Sequence, residues 1–172
     1  PGLTVIALDT VKGAVGIMLA HMILPHQITF GVYILIGFLA VAGHTFSIFL
    51  RFKGGKGVAT SLGVLLALSW PVGAIAFAVW LICVAVTRYV SIASMAAGIS
   101  LPFGALCTMH GDDRWWMAGL GAVLAIMVVI KHRANIQRLL AGTESKIGQR
   151  VKLPSKTVDE LPASETETME VR

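Results

Sequence analysis

Long apolar runs separated by short polar loops set the pattern of this chain. An α-helix rises 1.5 Å per residue, so crossing a ~30 Å hydrocarbon core takes roughly 20 apolar residues. Residues 3–24 form one such run, apolar apart from Asp9, Lys12 and His21, and the Pro25-His26-Gln27 turn closes it. Residues 30–50 predict a second span with a single imidazole, His44. The run from 58 to 87 is too long for one crossing and has Trp70-Pro71 near its middle, which predicts two short helices, 58–69 and 72–87. Runs at 90–109 and 115–130 complete the set. The pattern predicts an all-α, polytopic integral membrane helical bundle with about six transmembrane helices.

Composition agrees, because 56% hydrophobic and 13% charged residues leave too little polar surface for a protein solvated on all sides. The mean hydropathy of +0.79 says the same. The 14 Lys+Arg against 9 Asp+Glu would suit a nucleic-acid partner, but these charges lie between apolar runs, so no nucleic acid is expected. With six spans, Arg51, Lys53, Lys56, Arg88, Lys131 and Arg133 share one side. The other side holds Arg114 beside Asp112 and Asp113, and this asymmetry marks the first side as cytoplasmic. Trp70, Trp115 and Trp116 fall at span ends, where amphipathic rings prefer to lie. After Gly142 the chain turns to Ser, Thr, Glu, Lys and Pro, which predicts a membrane domain over 1–142 and a disordered cytoplasmic tail over 143–172. Cys83 and Cys107 sit inside apolar runs without paired spacing, so they read as small buried hydrophobes. No basic region precedes Leu3, so no signal peptide is recognised.

Three polar segments could carry chemistry. The loop Arg51-Phe52-Lys53-Gly54-Gly55-Lys56-Gly57 runs into an apolar helix. Glycines let amides turn toward an anion, the helix start adds its dipole, and the lysines add full charges, which together suit a phosphate. A basic turn obeying the positive-inside rule is the other reading. The loop is not a Walker A motif, since Gly57 follows Lys56. Along 131–140, His132, Asn135 and Arg138 recur at i, i+3 and i+6 as one polar helical face, opposite Ile136, Leu139 and Leu140. That face fits either a site or a basic helix lying on anionic lipid. Ser91 and Ser94 follow Arg88 at another helix start, as caps or as participants. Within the spans, His44 is either a bundle-facing functional group or a histidine bonded between helices, and Asp9 and Lys12 are either a neutral pair or part of a site. No Gly-x-Ser-x-Gly elbow, no His-x4-Asp and no close His/carboxylate cluster occurs, so neither a metal nor another cofactor is expected.

Taken in order, these motifs resemble the bacterial acyl-phosphate:glycerol-3-phosphate acyltransferases of the PlsY type. The resemblance covers residues 8–144 and is carried by GHTFSIFLRFKGGKGVAT (43–60), RYVSIAS (88–94) and HRANIQRLLAGTE (132–144), with weaker support from LDTVKG (8–13). It implies transfer of a fatty acyl group from acyl phosphate to the sn-1 hydroxyl of glycerol 3-phosphate, giving lysophosphatidate in the bacterial inner membrane. By the same resemblance, His132, Asn135, Lys56 and Ser94 are candidate catalytic residues. Lys53, Gly54, Gly55, Gly57, His44, Ser91, Arg138 and Lys12 are candidate substrate or phosphate ligands. Membrane lipid and the peripheral enzyme that makes acyl phosphate are the implied partners. Family members carry a further span and a Ser-Gly-Asn...Gly-Ala-Thr-Asn loop ahead of the matched region, and Ser47 stands where they usually have Pro. By that resemblance, either this sequence is a fragment or the protein lacks part of its active site, and an in-frame span encoded upstream of Pro1 would decide for the first. The alternatives are a phosphate-binding transporter subunit, against which the lack of an internal repeat argues, and an inactive truncated relative.

The charge asymmetry yields a topological test. Membrane-impermeant labelling of single cysteines in intact cells should reach positions beside His26 and Asp112 and spare those beside Lys53 and Arg88. External labelling at Lys53 would reverse the topology.

Overall fold

The structure, a computed structural model, describes residues 2–25, 28–51 and 54–149. The His26-Gln27 turn, Lys53 and residues 150–172 of the expected tail lie outside the described residues. Among the described residues, seven α-helices follow in order: α1 (Gly2–Ile23), α2 (Phe30–Thr45), α3 (Val58–Leu68), α4 (Trp70–Thr87), α5 (Val90–Thr108), α6 (Asp113–Lys131) and α7 (Arg133–Leu140). A 3₁₀ turn, Ile48–Leu50, follows α2. Four of them, α1, α4, α5 and α6, are long and apolar enough to cross a membrane.

The other two apolar helices are shorter than a full crossing, α3 as expected and α2 beyond expectation. α2 has 16 residues and stops at Thr45, because Phe46 leaves the helix at φ −116°, ψ 42°. The second predicted span therefore does not continue to Leu50. α3 has only 11 residues, about 16 Å of rise, which is half of a crossing. Both helices are short at the same end, where Thr45 and Thr60 are fully buried. Non-helical backbone is tolerated at such a place when protein surrounds it. The break between α3 and α4 falls at Ser69, with Pro71 in the first turn of α4, where its missing N–H costs no bond.

Large apolar side chains such as Leu8, Ile82, Phe103 and Ile126 face outward. Hydrocarbon solvates them as well as another helix would, so close packing has to hold the bundle together. Glycines supply it. A Cβ on Gly13 of α1 would fall on the Thr60 carbonyl, and a Cβ on Gly63 of α3 would fall on the Thr10 carbonyl. On the other side of the bundle, a Cβ on Gly121 of α6 would come within 3.0 Å of the Pro102 nitrogen in α5, a nitrogen that carries no hydrogen to obstruct the approach. Ile17, Val64, Leu101, Met117 and Leu124 fill the core between these contacts.

Gly63→Val should force α1 and α3 apart. The expected cost is about 1–3 kcal/mol, read as a lowered thermal midpoint in detergent. Gly16→Val is the control, since a Cβ there meets nothing within 4 Å, and it should leave the midpoint within about 0.5 kcal/mol of the wild type.

Candidate active site

The chain is brought to one place by the way three helix ends are capped. Gly57, at φ +78°, precedes α3, and a Cβ there would lie 2.6 Å from Thr45 Oγ1. Gly54 packs on the His44 and Thr45 carbonyls, and Gly55 on the His44 ring. The loop can therefore lie flat against the end of α2 only if these positions are glycine. Among the described residues, no group accepts a hydrogen bond from the amides of residues 54–57. These donors sit at the positive end of α3.

Opposite them, α6 breaks at His132 and α7 begins. α7 ends in a Schellman motif: Gly142, at φ +69°, donates its N–H to the Leu139 carbonyl, and Thr143 donates to the Arg138 carbonyl at 2.8 Å. The reversal returns Glu144 to the face of α7. Its carboxylate accepts from Asn135 Nδ2 at 2.6 Å and from Arg138 Nε at 2.7 Å. Asn135 Oδ1 in turn accepts from Lys56 Nζ at 2.8 Å, across 79 residues of sequence. Residues 145–149 stay with the bundle, since Ile147 N donates to the Arg88 carbonyl at 2.9 Å and Arg88 Nη2 donates to the Ile147 carbonyl at 2.7 Å. These bonds hold Ile147 against Arg88, five residues past the boundary expected at Gly142.

Burial and bonding set the charge states. Partial burial alone would raise the Glu144 pKa, but bonds from Asn135, Ser91 and Arg138, with the Arg138 charge, hold it down to about 2. The Ser91 hydroxyl is directed at this carboxylate without a bond of regular geometry. Glu144 is therefore ionised, and its contribution to stability is complete above the ordinary carboxylate range and lost as pH falls toward 2. Burial lowers the Lys56 pKa, with Glu144 opposing and Arg138 reinforcing. His132, 2% exposed, is also lowered, first by burial and then by Lys56, against the Val128 bond and Glu144. Its Nδ1–H donates to the Val128 carbonyl at 2.8 Å. In the neutral ring, Nε2 is then a lone-pair acceptor.

Of the residues expected at a site, the structure gathers Lys56, His132, Asn135, Arg138 and Ser91 around Glu144. It ties in His44 and Lys12 through the glycine loop: Lys12 Nζ donates to His44 Nδ1 and to Asp9, both at 2.9 Å, while the other edge of that ring lies on Gly55. Ser94 stands apart from this network. Its hydroxyl donates to the Val90 carbonyl at 2.8 Å and accepts from Trp80 Nε1 at 3.3 Å, so it serves the α4–α5 seam. Glu144, Thr45 and Lys131 were missed as site residues. The first had a signal in the glycine four residues after Arg138, which reads as a helix stop that turns the chain back. Lys131 Nζ donates to the Thr45 carbonyl at 3.1 Å.

The cluster pairs an excess of cationic and amide donors with one unprotonated imidazole nitrogen. Thr45, Thr60 and Ser61 have buried hydroxyls with no partner among the described residues. A buried hydroxyl left unpaired costs about 1–3 kcal/mol, which suits a pocket that takes a polar ligand. The arrangement can hold an anion and accept a proton beside it.

The profile of one protein family, glycerol-3-phosphate acyltransferase, matches residues 1–142. A glycerol-3-phosphate acyltransferase of Desulforudis audaxviator is 45% identical over 150 residues, which make up 87% of this chain and 72% of that relative. The crystal structure of PlsY (YgiH), an integral membrane glycerol 3-phosphate acyltransferase, in its glycerol 3-phosphate form is similar with a TM-score of 0.75 at 34% identity, covering 86% of this chain and 71% of that one. Its lysophosphatidic acid form gives a TM-score of 0.72 at 35% identity over 86% and 72% of the two chains. The matched residues include both the Lys56 loop and the His132–Arg138 face, and the chain belongs to the glycerol-3-phosphate acyltransferase family.

Proposed function

We propose that this chain transfers a fatty acyl group from acyl phosphate to the sn-1 hydroxyl of glycerol 3-phosphate, releasing phosphate and lysophosphatidate. The reaction takes place at the cytoplasmic face of a bacterial inner membrane, where a peripheral enzyme would deliver acyl phosphate. The observation that carries this reading is the Lys56–Asn135 bond, which joins the glycine loop to the His132 segment across an anion-accepting cluster. A solved relative described in both a glycerol 3-phosphate and a lysophosphatidic acid form supports the acceptor and the product.

Both substrates carry phosphate. Lys56, the amides of Gly54, Gly55 and Gly57, and Lys53 hold one such group, while Asn135, Arg138, Ser91 and, more distantly, His44 with Lys12 shape the rest of the pocket. Acyl phosphate is a mixed anhydride with a good leaving group, so the acceptor hydroxyl attacks the carbonyl directly and no enzyme nucleophile is needed. The new C–O bond forms, the bond to phosphate breaks, and the hydroxyl proton passes to His132 Nε2 or to a phosphate oxygen of the donor. Positioning and charge stabilisation supply most of the rate.

Purified protein in detergent should form lysophosphatidate from acyl phosphate without added metal, and acyl-CoA should not substitute. Equal rates with acyl-CoA would make the donor assignment wrong. Because burial lowers the His132 pKa, the neutral base persists below the ordinary imidazole value of about 6.5. The acid limb of kcat/KM should then fall below that pH and vanish in His132→Gln. A limb unchanged in His132→Gln assigns the proton to the donor phosphate.

Lys56 should matter more than Lys53, since it lies between Gly55 and Gly57 at the helix entrance and bonds Asn135. A charge-assisted hydrogen bond is worth roughly 1.5–3 kcal/mol, so Lys56→Ala should lower kcat/KM by about one to two powers of ten, and Lys53→Ala by less. Lys56→Arg should not restore it, because a planar guanidinium replaces a compact ammonium in a glycine-lined turn. Normal kinetics in Lys56→Ala, with folding verified by gel filtration, would reduce the loop to a topology signal.

A further inference from the structure

Asp9, Lys12 and His44 form a small polar group beside the glycine loop. A spacing of three puts Asp9 and Lys12 on one face of α1. The mutual glycine contacts, Gly13 on the Thr60 carbonyl and Gly63 on the Thr10 carbonyl, draw that turn of α1 against the start of α3. His44, one residue before the end of α2, stands between this turn and the loop. Its Nδ1 edge meets Lys12 and Asp9, and its Nε2 edge meets Gly55, where a Cβ would lie 2.5 Å from Nε2.

The Nδ1 edge decides where this ring carries its proton. Lys12 Nζ can only donate, and at 2.9 Å from Nδ1 it requires a lone pair there. Asp9 Oδ1 accepts another hydrogen of the same ammonium at 2.9 Å and lies 3.5 Å from Nδ1. The neutral ring therefore carries its hydrogen on Nε2. Among the described residues nothing accepts that hydrogen, and the amides of residues 54–57 beside it also lack acceptors. Donors that converge without an acceptor suit an anion. We propose that His44 Nε2–H donates to a substrate phosphate together with the Gly55 turn, and that Lys12 is the positioning residue that fixes the tautomer. The inference rests on the acyltransferase reading above, in which each substrate carries a phosphate. Lys12 acts through the ring, not on the anion. Its removal leaves Asp9 as the partner at the Nδ1 edge, and a carboxylate there selects Nδ1–H, which turns a lone pair toward the phosphate.

Spectroscopy and kinetics on the purified protein in detergent test this together. NMR of protein labelled at the histidine ring nitrogens, at a pH well above the ordinary imidazole value of about 6.5, should show His44 as Nε2–H, its signal identified by its loss in His44→Gln. Lys12→Met, a change at a side chain 54% exposed, should switch that ring to Nδ1–H and raise KM for the phosphate substrate it faces by about tenfold, or ~1.4 kcal/mol. Adding Asp9→Ala to Lys12→Met should return part of the loss, because nothing then selects the wrong tautomer. A glutamine amide nitrogen falls at the Nε2 place and an asparagine amide nitrogen at the Nδ1 place. His44→Gln should therefore keep KM near the wild-type value, while His44→Asn raises it by about tenfold. KM for glycerol 3-phosphate and for acyl phosphate, each measured with the other saturating, tells which phosphate the ring holds. Nδ1–H in the wild type, unchanged KM values in Lys12→Met, or equal losses in His44→Gln and His44→Asn overturn the proposal. A wild-type protein inactive with acyl phosphate overturns the donor assignment instead, and the His44 tautomer, read without turnover, still decides the proposal.

Discussion

The orientation of one side-chain amide governs the polar cluster. Asn135 has a donor edge and an acceptor edge, and Glu144, ionised with a pKa near 2, can only accept. The donor edge of Asn135 must therefore face Glu144, which leaves Oδ1 toward Lys56. Were Glu144 absent, nothing at that edge would select between the two orientations. An inverted amide would present its own N–H groups to an ammonium that can only donate. The Schellman turn at Gly142 matters for this reason, since it carries the carboxylate back to the helix it has just left.

Charge at a membrane-embedded site is costly unless paired. Lys56, Arg138 and Lys131 outnumber Glu144, so the cluster keeps a positive balance while each cation still has an oxygen partner. Those partners are weak or shared, an amide, a carboxylate and a backbone carbonyl, and an incoming phosphate can compete for them. The shortness of α2 and α3 puts this chemistry among helix ends. Had α2 continued to Leu50, its backbone would occupy the place where the glycine loop now lies on the His44 and Thr45 carbonyls.

The same bundle answers two solvents at once. Near the cluster, polar groups converge and hydroxyls are enclosed; farther along α6, the wall becomes Val123, Gly119 and Trp116. Glycine serves both ends for different reasons. At Gly57 it permits a positive φ beside Thr45, and at Gly63 it permits two helices to touch, whereas at Gly119 it leaves space unfilled.

Much of this was legible along the chain. Apolar runs of membrane-spanning length located the helices, and Pro71 located the α3–α4 break to within two residues. The i, i+3, i+6 spacing put His132, Asn135 and Arg138 on one face, because helical periodicity is local and survives whatever packs against it. What the chain alone left open depends on pairings between distant residues. The end of α2 at Thr45 follows from the loop that folds onto it, and the Lys12–His44 bond joins residues 32 apart. Ser94 was a candidate through the family resemblance, and the hydrogen bonds to its hydroxyl from Trp80 and to the Val90 carbonyl could be found only in three dimensions. Glu144 lay in a stretch read as solvated tail. Whether a polar residue is a ligand, a brace or solvent-exposed depends on which donors and acceptors the fold brings within about 3 Å of it, and three-dimensional packing alone sets those distances.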